Sequence, residues 1–195
     1  MKSAMRIVVA ALTFFVAAGA SSVSSVAAGP SDESASAAER ARVLTTNELH
    51  SLYGNRSWMW KDGAAYFKVS KREFTSSVNS GLKASYADGV WFLTDQGRLC
   101  FRATWTAVGG SSISLKCFEH RTDGKNIYQR KVPDGTWYVF SHRPIARDDE
   151  ITKLKVGDHV SARYRRNKRF VTENAPTPKC STNGTVPLLC HLFGR

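Results

Sequence analysis

The sequence predicts an all-β fold, a small antiparallel meander closing as a barrel, with a short helix at its N-terminal end. Three observations carry that expectation. From Ser57 onward, short apolar and β-branched runs recur at a spacing of about 8–12 residues, divided by glycine-containing turn pairs. Within several runs apolar and polar side chains alternate, the period of a half-buried strand. Hairpins follow one another along the chain, and closing a meander on itself removes its exposed edges.

Taken in order, the chain opens on an address. Lys2 and Arg6 precede the apolar run Ile7 to Ala18, and small residues follow, with cleavage sites expected after Ala20 or Ala28. Residues 1–28 therefore read as a cleavable signal peptide. The run is shorter than the about 20 apolar residues that cross a bilayer, so the mature chain is expected to be exported, periplasmic or secreted, without a transmembrane segment. Residues 29–43 are expected to be a disordered leader, because Gly29 to Ala38 (GPSDESASAA) is small, polar and poor in apolar residues. The barrel domain is placed at 44–171. Thr45 and Glu48 have capping-box spacing, which predicts a helix from Thr46 to Tyr53 stopping at Gly54.

Strands are expected on both sides of a tight Asp62-Gly63 turn, then at Glu73–Val78, Leu82–Tyr86 and Val90–Thr94. A longer hairpin follows. Leu99, Phe101, Ala103 and Trp105 alternate with Cys100, Arg102 and Thr104, and Ile113 to Phe118 is the partner run. Closure across Ala107–Gly110 sets Cys100 opposite Cys117; a two-residue Gly109-Gly110 turn sets Cys100 against Glu119 instead. Further strands are expected at Asn126–Lys131, Thr136–Phe140, Ile151–Leu154 and His159–Tyr164.

Four cysteines in an oxidising compartment suggest two disulfides with three possible connectivities. Cys100–Cys117 and Cys180–Cys190 are favoured because each closes a short local loop; a catalytic cysteine is the rival reading. Residues 172–195 are expected to form an irregular disulfide-bonded tail, given Pro176, Pro178, Pro187 and Gly184. Its apolar Val186, Leu188, Leu189, Leu192 and Phe193 would dock on the barrel.

Candidate chemistry is sparse. His50, His120, His142, His159 and His191 form no metal-binding spacing, so neither a metal nor a cofactor is expected. Asp62, Asp88, Asp123 and Asp134 each stand beside glycine, where turn chemistry accounts for them. Asp148-Asp149-Glu150 reads as a solvated loop, and no nucleophile-elbow or phosphate-loop motif is present. The protein is therefore expected not to be an enzyme; converging carboxylates or a His–carboxylate pair in a pocket would argue the other way.

Charge and aromatics point to binding. The formal net charge is +12 and falls to +10 once Lys2 and Arg6 leave with the signal peptide, with the excess growing toward the C-terminus. Arg163, Arg165, Arg166, Lys168 and Arg169 crowd into seven residues. On an extended strand they form either a charged edge that blocks pairing or a patch for a polyanion. Trp58 and Trp60 share one strand face, and a paired aromatic face either fills the core or lines a ligand cavity.

Glu48-Leu49, Tyr53-Gly54, Trp58-x-Trp60, Gly89-x-Trp91, the Gly97-to-Trp105 run with Cys100, Cys117, and Gly135-x-Trp137-Tyr138 together resemble an exported bacterial family, domain of unknown function 995, over about residues 44–140. The resemblance implies an envelope or secreted location and brings no activity, ligand or catalytic residue. A weaker likeness to lipocalin-like barrels, in which a short helix leads into a Gly-x-Trp strand, bears on fold alone, because Gly54 and Trp58 stand too far apart for that motif. The expected function is an exported non-enzymatic binding protein of the bacterial envelope. It would engage an anionic glycan or lipid headgroup through the basic C-terminal run, with Trp58 and Trp60 supplying shape selection. The alternative is an inhibitor or assembly partner of another envelope protein. Nucleic acid is not an expected partner after export, and no recognition motif accompanies the basic run.

Overall fold

The computed structural model describes residues 30–176; the expected signal peptide and the Cys180–Cys190 pair lie outside them. The expected antiparallel meander is present, curled into a half-barrel. Its elements are α1 (Pro30–Arg40), β1 (Arg42–Val43), α2 (Thr46–Tyr53), β2 (Arg56–Trp60), β3 (Gly63–Phe67), β4 (Glu73–Val78), β5 (Ser85–Thr94), β6 (Arg98–Ala107), β7 (Gly110–Thr122), β8 (Ile127–Val132), β9 (Tyr138–Ser141), β10 (Leu154–Val156) and α3 (Ser161–Glu173). Strand order is β10-β2-β3-β4-β5-β6-β7-β8-β9, with β1 added beside β7. Hydrogen bonding does not run from β9 to β10; a turn at Glu150–Lys153 packs between β9 and β2 there.

Alternation fixes which face is inside. Phe67, Phe74, Ala87, Trp91, Leu99, Phe101 and Ala103 fill the concave face, and α2 closes one end with Leu49 and Tyr53. α2 has the expected capping box: Thr45 Oγ1 accepts from Glu48 N at 3.2 Å, and Glu48 Oε2 accepts from Thr45 N at 2.8 Å. Arg42 donates twice to the same carboxylate, at 3.0 and 2.7 Å, and these bonds hold the Glu48 carboxyl down at about 2.

The β6–β7 hairpin closes across Ala107 and Gly110, so Cys100 faces Cys117, and the two are disulfide-bonded with their Cα atoms 4.1 Å apart. The bridge spans 17 residues, a loop whose closure constrains the unfolded chain by about 3 kcal/mol. A C100A/C117A variant, with Cys180 and Cys190 intact, is expected to fold but to lose about that much in urea unfolding. An unchanged midpoint would contradict this.

Four expectations need correction. Residues 30–40 are not a disordered leader but a helix. Alanine is the best helix former, and Ala35, Ala37, Ala38 and Ala41 supply enough small apolar surface to pack on Tyr128, Trp137 and Val139. Arg121 caps this helix by donating to the carbonyls of Ala38 and Glu39 at 3.3 and 3.2 Å. Leu82–Tyr86 and Val90–Thr94 are not two strands: Ser85–Thr94 runs unbroken, with Asp88 and Gly89 in its middle paired to Thr104 and Ala103. Residues 150–153 form a turn, and the strand expected at Ile151–Leu154 begins only at Leu154. Finally, His159–Tyr164 is not a strand. Asp158 accepts from the backbone N–H groups of Val160 and Ser161 at 2.9 Å each and starts α3. Val160, Tyr164, Asn167 and Val171 recur at helical spacing on its inner face.

Candidate functional site

The alternation that builds the core also leaves a pocket of about 260 Å³ in the concave face. β2 contributes Trp58 and Trp60, β3 Phe67, β4 Phe74, β6 Phe101 and Trp105, and β7 Phe118 and Lys116. Phe74 and Phe101 stack at 4.4 Å between ring centroids, and Trp58 meets Phe118 edge-on at 5.1 Å. Both tryptophans expected to share a face do so. Trp58 is buried at 9% exposure, and Trp60 is exposed at 38%, forming the open side. Gly63 opposite Trp60 makes room for this wall, since a Cβ there would lie 2.6 Å from the indole and push it aside.

Polar groups are confined to the border. Trp58 Nε1 donates to Glu150 Oε1 at 2.7 Å, and Lys153 neutralises the same carboxylate at 2.5 Å. Lys116 Nζ lies 5.0 Å above the Trp105 ring, a cation–π contact. A cavity of about 150 Å³ accepts benzene, so this pocket has room for one six-membered ring or a short acyl segment. Among the described residues its lining is seven aromatic rings with Ala65, Lys116 and Glu150, a surface suited to shape and ring stacking.

The basic run lies on α3 and divides by helical face. Arg163 donates to the carbonyl oxygens of Asp62 and Asn79, so it is tied to the turn that follows Trp60. Lys168 Nζ bonds Tyr164 Oη at 3.0 Å and lies over the Tyr86 ring at 5.5 Å, while Tyr164 itself donates to Asp88. Asn167 Nδ2 reaches the carbonyls of Val78, Asn79 and Ser85. These contacts fasten α3 across the ends of β3, β4 and β5. Arg165, Arg166 and Arg169 remain exposed on the opposite face, in no ion pair among the described residues. No residue of α3 lines the aromatic pocket; Arg163 joins the two only through the β2–β3 turn.

Two of the histidines hold polar contacts of note, His120 and His142. His120 is fully buried; its Nε2 lies 2.8 Å from Tyr53 Oη and 2.5 Å from Gln129 Nε2. Gln129 also donates to Tyr53 and accepts from Tyr138. With Tyr53 donating, the ring is neutral and carries its proton on Nδ1. Burial pushes its pKa down to about 4 against a smaller opposing pull from the carbonyls of Gly97 and Phe118. The Asp148–Glu150 run is not the solvated loop expected. Asp149 is only 3% exposed and accepts from His142 N, Ala146 N and His142 Nδ1 at 2.8, 2.8 and 2.6 Å. Its carboxyl is held below the usual range by these bonds, against the opposing cost of burial. This is an oriented His–carboxylate pair, and His142 lines a cleft, so the arrangement that would argue for an enzyme is present in part. Among the described residues no hydroxyl is hydrogen-bonded to this imidazole: Ser51 Oγ donates to Asn47 O, and Ser141 Oγ to His142 O. Among the described residues no group of three or more His, Cys, Asp and Glu side chains is placed to hold a metal.

Sequence reasoning reached Trp58 and Trp60 but missed the phenylalanines, Trp105, Lys116 and Glu150. The rings and Lys116 are inward in their strands and Glu150 opens the Glu150–Lys153 turn, positions that show a shared pocket only once the register is known. No helix among the described residues is long and apolar enough to cross a membrane. A family profile described as "Protein of unknown function (DUF995)" matches residues 15–160, most of the chain, and the chain belongs to that family. No curated protein and no solved structure matches it.

Proposed function

We propose that this DUF995 member is an exported, non-enzymatic binding protein of the bacterial envelope, periplasmic or secreted, whose partner is an anionic glycan or lipid surface. The aromatic pocket takes one ring or short apolar segment of that partner, and the outer face of α3 meets its charge. The observation that carries this reading is the seven-ring pocket with polar groups only at its border. Arg165, Arg166 and Arg169, in no ion pair among the described residues, stand on the outer face of α3, whose Arg163 is tied to the β2–β3 turn next to Trp60, and they support the electrostatic half. A disulfide accords with an oxidising compartment.

The test is equilibrium binding of the full chain to an anionic polysaccharide and to anionic vesicles at low and at physiological ionic strength, about 0.15 M. Wild-type binding is expected to weaken with salt. The variant R165E/R166E/R169E is expected to lose at least tenfold in affinity with unchanged thermal stability, because none of the three side chains holds the fold. Arg163 and Lys168 are left in place, since both are bonded within the domain. Binding indifferent to salt and to this reversal would overturn the electrostatic half.

A second reading has its own observation. Val90, Ile113 and Leu115, with Phe92 beside them, are exposed on the convex face of β5 and β7. An inhibitor or assembly partner of another envelope protein would use such a patch. Co-purification of one stoichiometric protein, lost in L115E, would favour it.

A further inference from the structure

We infer that the cleft between α2, the β7–β8 turn and residues 142–145 is a second binding site, for a small amphiphile with an anionic head group. β7 runs from the β6–β7 turn to the β7–β8 turn, so this cleft lies at the other end of that strand from Trp105 and Ser112. It has a volume of about 760 Å³, within the about 300–1,000 Å³ typical of small-molecule sites. Its apolar part is Leu44, Leu52, Ile127 and Ile145, the last 62% exposed.

Two positive groups, Lys125 and Arg143, stand on the same cleft. Both are exposed and in no ion pair among the described residues. His142 is held by Asp149 through Nδ1, which leaves Nε2 without a partner among the described residues. The buried Asp149 fixes the imidazole's orientation, and its carboxylate is itself satisfied by two backbone N–H groups, so it is spent within the loop. Arg42 and Glu48 also line the cleft but neutralise each other in a two-pronged pair, adding no net charge. What remains is a cationic rim over an apolar floor. A carboxylate or similar head group matches the former and a short acyl body the latter.

The experiment uses the full chain, octanoate as probe, and amide NMR shifts as readout. Octanol and octylammonium serve as neutral and cationic probes of equal chain length. Octanoate is expected to shift Lys125, His142 and Ile145 saturably, to bind at least tenfold more tightly than either analogue, and to bind W60A undiminished at these residues. K125E/R143E, whose side chains are exposed and whose melting is expected to match wild type, should lose at least tenfold. Equal binding of octanol, unchanged affinity in K125E/R143E, no saturable shift, or shifts confined to the indoles of Trp58, Trp60 and Trp105 would overturn the inference. The last outcome would leave the aromatic-pocket reading intact, so the two sites fail separately.

Discussion

Replacing Gly89 by alanine is expected to abolish or nearly abolish folding, although a single methyl is added. Gly89 is the centre of β5, paired with Ala103. A Cβ there would lie 2.1 Å from the Arg102 carbonyl oxygen and 2.6 Å from the Ala103 Cα. Both obstacles are backbone of the neighbouring strand, so no rotamer change relieves them and the β5–β6 ladder must part. Overpacking of this kind costs about 3 kcal/mol or more, a large share of the about 5–15 kcal/mol that holds a domain folded. Trp91, two residues on along the same face, would lose its place: it is 1% exposed and donates to Lys68 O at 2.8 Å. Gly109→Ala is the control. Nothing lies within 4 Å of a Cβ at Gly109, and a change within about 0.5 kcal/mol is expected. Soluble yield and urea midpoints of the two variants decide it; a stable G89A would show that the strands are not in this close contact.

Acid is expected to destabilise the domain through His120 before it acts on the carboxylates. The ring is neutral in the fold, with its pKa down at about 4, against about 6.5 in the unfolded chain. The unfolded state therefore binds the extra proton first. Stability is complete above about 6.5 and falls as pH drops toward about 4, by about 2 kcal/mol at pH 5 and about 3 kcal/mol once both states are protonated. Carboxylates held low in the fold, Glu48 and Asp149 among them, lose their contributions only at lower pH. His120→Gln keeps an acceptor for Tyr53 and does not titrate. Urea unfolding at about pH 7 and about pH 5 should show the slope in wild type and its loss in H120Q. An equal slope in both proteins would mean that another group carries it.

Much of the fold was legible because it rests on local rules. Period-two alternation located most strands, the Thr45–Glu48 box located α2, and the four-residue β6–β7 turn set Cys100 against Cys117. The failures have one cause: a local signal with two uses. Asp88-Gly89 carries turn chemistry, yet this glycine is needed where two backbones approach too closely for any side chain. Alternation of Arg163 and Arg165 looked extended, while the apolar positions Val160, Tyr164 and Val171 kept a helical period that only a longer window shows. In the leader, low hydrophobicity suggested disorder, but alanines that dock on Trp137 need little apolar area of their own. The site was half legible. Two tryptophans on one strand could be paired by spacing, whereas Phe74, Phe101 and Phe118 meet them only through the curl of the sheet. His142 and Asp149 are joined by a loop closure that has no sequence pattern at all.

The central claim is that the pocket and the α3 face read one anionic partner together. The most direct test is the affinity of the full chain for an anionic polysaccharide at two ionic strengths, measured for wild type, W60A, R165E/R166E/R169E and the combination. W60A is expected to lose at least tenfold while keeping the wild-type salt dependence. The arginine reversal is expected to lose at least tenfold and to flatten that dependence. Full affinity in both single variants, with no effect of salt, would contradict the account.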